Sequence, residues 1–350
     1  MENRTYHEQQ NIEYTKELRE YLQLLPSFCT TFFRGIEPRT LPRTRLAYAV
    51  DLKVFFTWLK DSNPVFKDTD IRSIPMDALN SLEAFDIEEY MEYLKLYETS
   101  EGEVSNSETA IKRKMSALRG LYNYLYKNQM ISNNPVMKVD MPRLHEKAII
   151  RLDTDEIVKF LDTVDNGGNM TDHQRRFHEQ NRIRDLAIMT LMLGTGIRVS
   201  ECVGLNLQDV DINNSRIKVT RKGGYEAFVY FGDEVEAALL SYLDERELLT
   251  DIPTGHEDAL FLSNRKKRIC VKSVENLVKK YAQQVTTLKN ITPHKLRSTY
   301  GTALYRETGD IYLVADVLGH KDVNTTKRHY AALEDDRRRQ AKDIVRLRKD

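Results

Sequence analysis

Apolar residues recur at three- and four-residue steps along much of this chain, the spacing that lines one face of a helix. Ala47, Val50, Val54 and Trp58 form such a stripe within residues 43–60. Ile87, Tyr90, Met91 and Leu94 repeat it over 86–97, and Ile111, Met115, Leu118, Tyr122 and Leu125 over 107–127, where Ser107 is a suitable N-cap. Helices are also expected over 11–25, 153–164, 185–193, 200–205, 234–249, 273–285 and 334–348, the last held by Ile344 and Leu347. An aromatic segment, 28–33, ends at Gly35. Ile217 and Val219 alternate instead, which predicts strands over 211–220 and 225–231. Between them stands Arg221-Lys222-Gly223-Gly224, whose glycines supply the positive φ of a tight hairpin. A short strand is read at 259–262. The polar stretches 63–75, 99–107 and 165–184 read as loops, the last a long surface insertion.

These elements fall into two groups. A helical N-terminal domain spans 1–135 and ends at Asn133-Asn134-Pro135. Residues 136–152 carry Pro142, several charges and no period, and read as a linker. A mixed domain follows over 153–333, then a helical tail over 334–350. The expected fold class is mainly α with a small antiparallel sheet. Trp58 belongs to the core stripe of its helix rather than to a base-stacking surface.

Composition narrows the partners. The 350 residues suffice for two domains of ~100–200 residues each. Lys+Arg and Asp+Glu both number 53, so net charge is zero and a uniformly basic nucleic-acid binder is excluded. Basic residues concentrate locally instead. Lys112, Arg113, Lys114 and Arg119 lie on the 107–127 helix, where they read either as a solvated face or as phosphate contacts. Arg265, Lys266, Lys267 and Arg268 open a second basic run. Cys29, Cys202 and Cys270 have neither paired nor metal-like spacing and are expected as free thiols in a reducing cytosol. The polar N-terminus has no signal-peptide core, and the apolar run 186–197 is too short to span a bilayer. The expected location is the cytoplasm, with no membrane partner. His173 and His178 do not make a helical metal pair, and no carboxylates cluster near the motifs below, so neither metal nor cofactor is expected.

Three short segments carry chemistry. His294-Lys295-Leu296-Arg297 opens a helix after Pro293, which places His294 and Arg297 three apart on one face. Leu318-Gly319-His320 follows, with Tyr330 ten residues beyond. Upstream lies Gly194-Thr195-Gly196-Ile197-Arg198-Val199-Ser200-Glu201. Two arginines can clamp a phosphodiester with forked hydrogen bonds. Histidines can donate to it or move protons near neutral pH. A tyrosine can attack it and hold it as an ester.

Arg198, His294-x-x-Arg297, Leu-Gly-His320 and Tyr330, in that order, resemble the tyrosine recombinase (phage integrase) family, and within it the Xer type, in its single-protein form. The motifs run from 198 to 330, and the domain layout extends the resemblance over nearly the whole chain. The resemblance implies a helical core-binding, DNA-binding domain followed by a mixed α/β catalytic domain. It implies Tyr330 as nucleophile, forming a 3′-phosphotyrosine, with Arg198 and Arg297 on the non-bridging oxygens. His294 would assist proton transfer at Tyr330, His320 would hydrogen-bond the phosphate, and Glu201 would support the arrangement. The family's leaving-group acid is a lysine at a hairpin tip. Lys222 matches it, with Lys218 as the second choice; an ordinary turn lysine is the alternative for Lys222. Tyr330 stands one position later than the commoner spacing, and His329 in the ninth place cannot form a tyrosyl ester.

Implied partners are double-stranded DNA with an inverted-repeat recombination site, a homo-tetramer in the synapse and a division-linked DNA translocase. The implied function is resolution of chromosome dimers at a dif-like site, through a Holliday junction and without ATP. Phage or transposon integration and excision, and a type IB topoisomerase, share the same chemistry. A non-catalytic DNA-binding regulator is the reading from another class. The charged tail would either dock on a neighbouring protomer or fray at the surface.

Overall fold

Capping residues, prolines and glycines mark several helix boundaries in the computed structural model, which describes residues 5–100, 102–143, 149–221, 223–320 and 323. The chain divides into two units, Met1–Lys147 and Ala148–Asp350. In the first, Thr5 and Glu8 form a reciprocal capping box that starts α1 (Tyr6–Leu22). Pro26 then separates α1 from α2 (Ser27–Ile36), so the aromatic segment is itself helical. Pro42 opens α3 (Pro42–Ser62), followed by α4 (Met76–Asn80) and α5 (Ala84–Tyr93). A hairpin of β1 (Leu96–Thr99) and β2 (Gly102–Ser105) replaces the loop expected at 99–107. Gly102 turns it at φ +118°, a conformation that polarity alone does not reveal. α6 (Glu108–Lys127) completes the helical set.

Phe32, Phe55, Phe56, Tyr90 and Tyr122 are fully buried in this unit's core. Trp58 is 4% exposed, its ring 5.1 Å from that of Tyr90, as its stripe predicts. Val136 and Val139 are buried in the same core, so packing extends into the stretch read as a linker.

The α6 stripe has a polar seam. Lys114 is 7% exposed, and its Nζ lies 3.4 Å from Oδ1 of Asp51, a buried residue of α3 that also pairs with Arg113. Burial pushes the Asp51 carboxyl up, while both cations pull it down. Arg119 donates to the carbonyls of Val136 and Val139 at 3.3 and 3.4 Å. Lys114 is therefore an interior partner, not part of a solvated face; its stem borders the apolar stripe and its ammonium finds a buried carboxylate there.

In the second unit, Asp153 and Glu156 cap α7 (Thr154–Asn166). α8 (Asp172–Thr195) starts at Thr171 with a second capping box and runs through most of the segment expected as an insertion loop. Only 167–171 separates the two helices. The polar residues of this segment are partly inside: His178 is buried with Nε2 2.7 Å from the Val164 carbonyl oxygen, and at the segment's end Arg184 donates to buried Asp185, which also accepts from Tyr281 Oη at 2.8 Å. Polarity misleads where partners are supplied by distant chain.

α9 (Val199–Gly204) leads to an antiparallel sheet of β3 (Val210–Asp211), β4 (Arg216–Thr220) and β5 (Glu226–Tyr230), in that order. Ile217 faces Val229 and Val219 faces Ala227, with Ile217, Val219 and Val229 buried. α10 (Asp233–Glu247) and α11 (Val271–Val285) follow. The expected strand at 259–262 is a buried segment tied by isolated bridges, Asn206 to Ala259 and Leu262 to Arg268. α12 (Pro293–Thr308) and α13 (Ile311–Leu318) close the described chain. Among the described residues, no helix is long and apolar enough to cross a membrane. Residues 334–350, read as a helical tail, lie outside the described residues.

Asp51→Ala strands the Lys114 ammonium in the core. It should destabilise the helical unit by about 3–5 kcal/mol, read from urea unfolding of the full chain. Adding Lys114→Met should restore much of that loss, because the buried cation is then gone.

Candidate active site

α8 ends at Gly196 with φ +64°. A Cβ at this position would lie 2.9 Å from Leu318 Cδ2 and overlap the Tyr300 ring. Glycine here lets the end of α8, the face of α12 and the last turn of α13 approach closely. Two residues on, Arg198 is the N-cap of α9. Its backbone N–H donates to Glu201 Oε2 at 2.8 Å and its Nη1 to Glu201 Oε1 at 2.7 Å. The Glu201 side chain is 4% exposed and that of Arg198 35%, so a buried carboxylate aims a half-exposed guanidinium. Arg198 Nη2 lies 3.4 Å from the Gly319 carbonyl oxygen.

Pro293 takes the first position of α12, where its missing N–H costs nothing. His294, the next residue, is exposed. One turn on, Arg297 is 4% exposed. Its Nη1 donates to the Gly196 carbonyl at 2.6 Å and its Nη2 to the Leu318 carbonyl. α13 ends in a Schellman turn: His320 N–H donates to Ala315 O and Gly319 N–H to Asp316 O, each at 2.8 Å, with Gly319 at φ +61°. That turn sets down half-buried His320. Arg221 also reaches it, donating to the carbonyls of Asp316 at 3.3 Å and Val317 at 3.0 Å. The last carbonyls of α13 and that of its capping residue Gly319 thus meet three guanidinium groups, favourable charge at the negative end of a helix.

The structure brings Arg198, Glu201, Arg297 and His320 to this one turn, with His294 at the start of the helix that carries Arg297. Lys222 and Tyr330 lie outside the described residues. Beside Lys222, Arg221 N–H donates to Tyr225 O at 2.9 Å and Gly224 N–H to Arg221 O at 3.0 Å, so a tight turn joins β4 to β5. Lys218, the second choice for the acid, is on β4 with Nζ 3.2 Å from Glu226 and 3.7 Å from Asp209. Tyr305 is buried, Tyr300 is half-buried with its phenol pushed up by burial, and Tyr312 is exposed.

The basic candidates separate. Arg265 and Lys267 are exposed and Lys112 is half-buried. Lys266 donates to Thr250 O at 2.6 Å. Arg268 is folded inward, donating to the carbonyls of Val203 and Leu205 at 3.0 and 2.7 Å, so it braces the chain after α9. Together with Lys114 and Arg119, it belongs to the protein's own hydrogen-bonding. Arg221, by contrast, was not distinguishable in the sequence from any cation next to a hairpin turn. Among the described residues, no group of three or more His, Cys, Asp or Glu side chains is placed to hold a metal ion.

Arg198 and Arg297 held at one turn, with His320 in that turn and His294 three residues before Arg297 on α12, are groups able to hold a phosphodiester on a mainly helical scaffold. Residues 151–337 match the phage integrase family. Over 337 residues the chain is 35% identical to Tyrosine recombinase XerC of Caldanaerobacter subterraneus subsp. tengcongensis, covering 93% of this chain and 87% of that protein. Over 338 residues it is 32% identical to Tyrosine recombinase XerS of Streptococcus thermophilus, covering 89% and 93%. The fold is similar to that of the XerH site-specific recombinase bound to a palindromic difH substrate, with TM-score 0.68 and 20% identity over 98% of this chain and 91% of that one. It is also similar to the Tn1549 transposon integrase in complex with transposon right-end DNA, with TM-score 0.63 and 19% identity over 91% and 99%. The chain belongs to the phage integrase family, as a Xer-type tyrosine recombinase. It is a site-specific DNA recombinase with a tyrosine nucleophile.

Glu201→Ala removes the carboxylate that aims Arg198. Misplacing a catalytic group by about 1 Å costs on the order of 10²-fold. Strand cleavage should fall by about that factor while gel-shift affinity for the site changes little.

Proposed function

We propose that the protein resolves chromosome dimers by recombination at a dif-like site with inverted repeats. The observation that carries this reading is the pairing of Arg198 and Arg297 on the successive carbonyls of Gly319 and Leu318, in a chain matched along most of its length by XerC and XerS proteins. In the proposed reaction the Tyr330 hydroxyl attacks the scissile phosphorus and passes its proton to His294. Arg198 and Arg297 hold the non-bridging oxygens as charge builds, and His320 donates to the phosphate. The bond from phosphorus to the 5′-oxygen breaks, and Lys222 gives that oxygen its proton. The DNA 3′ end is left on Tyr330, so the ester retains the bond energy and religation needs no ATP. A preorganised donor of this kind is worth about 10²–10³ in rate. Arg297→Ala should lose at least that much cleavage, and stability as well, because it also unties two buried carbonyls.

A phosphate oxygen bears negative charge and accepts more strongly than a carbonyl, so substrate DNA competes well for the exposed donors of Arg198. Residues 1–135 would act as the core-binding domain, with Lys112 and Arg113 toward phosphates, and Arg265 and Lys267 would meet DNA from the catalytic domain. Four protomers would assemble on two sites and exchange strands through a Holliday junction, in the cytoplasm and under control of a division-linked translocase. Residues 334–350 would dock on a neighbouring protomer.

The test is a nicked duplex carrying a dif-like inverted repeat, incubated with the protein in EDTA. A denaturation-resistant adduct on Tyr330, absent in Tyr330→Phe, is the expected result. An adduct elsewhere would overturn the assignment of Tyr330. Relaxation of plasmids that lack any repeat would favour a topoisomerase, and no adduct on a repeat that the protein binds would favour a non-catalytic regulator. Deleting 335–350 should reduce recombination more than DNA binding; unchanged recombination would remove the docking role.

A further inference from the structure

We infer that Arg221 is a positioning residue for the leaving-group acid, an inference that rests on the reading of Lys222 as that acid. The backbone of Arg221 belongs to the hairpin turn, closing it through Tyr225 O at 2.9 Å and Gly224 N–H at 3.0 Å. Its side chain belongs to another element: Nη1 and Nη2 donate to the carbonyls of Asp316 and Val317 at the end of α13. One residue therefore ties the turn beside Lys222 to the helix end that sets down His320 and meets Arg198 and Arg297.

The turn needs such a tie. Gly223 and Gly224 sit at φ +104° and +84°, and a Cβ at either would meet nothing within 4 Å. A two-glycine turn in open space has wide conformational freedom, whereas proton transfer requires an acid within hydrogen-bond reach of the departing oxygen. The two Arg221 bonds restrict the turn from its base.

Gly319 shows the same fit from the opposite side. A Cβ there would lie 2.5 Å from the Arg221 Cζ and overlap Nη1. The glycine of the Leu-Gly-His motif thus answers two demands at once, a left-handed φ and space for this guanidinium. A lysine at 221 would bring one point charge in place of the planar fork that spans two successive carbonyls.

The experiment compares wild type, Arg221→Ala, Arg221→Lys and Lys222→Ala on two nicked substrates bearing the recombination site. One has the natural 5′-oxygen at the scissile phosphate. The other has a bridging 5′-sulfur, which departs as a thiolate because thiols ionise near pH 8.5, so it needs no acid. On the oxygen substrate Arg221→Ala should cleave on the order of 10²-fold more slowly, with Arg221→Lys between it and wild type. On the sulfur substrate both Arg221→Ala and Lys222→Ala should return to within about tenfold of wild type, since the step they serve has been removed. Rescue of Lys222→Ala but not of Arg221→Ala would overturn the positioning role, because Arg221 would then be supporting the whole site. Wild-type cleavage of the oxygen substrate by Arg221→Ala would overturn it as well. Failure of Lys222→Ala to be rescued would overturn the assignment of the acid, and the role of Arg221 with it.

Discussion

The Arg297 guanidinium joins two glycine turns, and the arrangement of the candidate site follows from that junction. It donates to Gly196, where α8 gives way to the Arg198 segment, and to Leu318, where α13 gives way to His320. A buried guanidinium is costly to desolvate unless its donors are occupied. Here the occupants are carbonyls at helix ends, which themselves lack intrahelical partners. Each side answers the other's unmet hydrogen-bonding, and Arg198, Arg297 and the Gly319–His320 segment come together as a result. Glu201 extends the same logic outward by fixing Arg198, so the two arginines are set by a chain of charged hydrogen bonds rather than by loop conformation.

Much of this was legible in the sequence. The stripe through Ile111–Leu125 corresponds to the buried face of α6, and the alternation of Ile217 and Val219 to a strand. On α3 the helix is as expected but its buried face runs through Leu46, Ala49, Leu52, Phe55, Phe56 and Leu59, so of the expected stripe Trp58 is buried while Ala47, Val50 and Val54 are half-buried at its margin. Pro293 and the glycines at 196 and 319 marked where helices begin and end. What the sequence concealed was the destination of polar side chains. Residues 165–184 look like a loop because they are polar, yet His178 among them is buried against the Val164 carbonyl at the end of α7, and Asp185 just beyond them is buried against Tyr281, 96 positions away. Lys114 looks like a surface cation, and its carboxylate partner lies 63 positions away. Periodicity is local and survives translation into structure; a polar pair between distant segments leaves no local mark.

The same distinction divides the cations. An arginine that contacts DNA and one that caps a carbonyl have the same letter and often the same neighbours. Arg268 and Arg119 prove to be braces, while Arg265 and Lys267 stay exposed. Cys202 completes the contrast from the apolar side. It adjoins Glu201 in sequence but is wholly buried, and burial pushes its thiol up to about 12, so no thiolate stands near the arginine pair at neutral pH.

α13 has eight residues, too few to persist as a helix in water on local interactions, which need about 12–15. Its last carbonyls are held by guanidinium groups from the hairpin, from the start of α9 and from α12. Formation of this helix end and the placing of the three guanidinium groups therefore depend on the same hydrogen bonds. Amide hydrogen exchange at Gly319 and His320, whose N–H groups close the final turn, would then report the fraction of molecules in which that turn is formed. Local unfolding of this one short helix would release the guanidinium groups of Arg198, Arg221 and Arg297 together rather than one at a time.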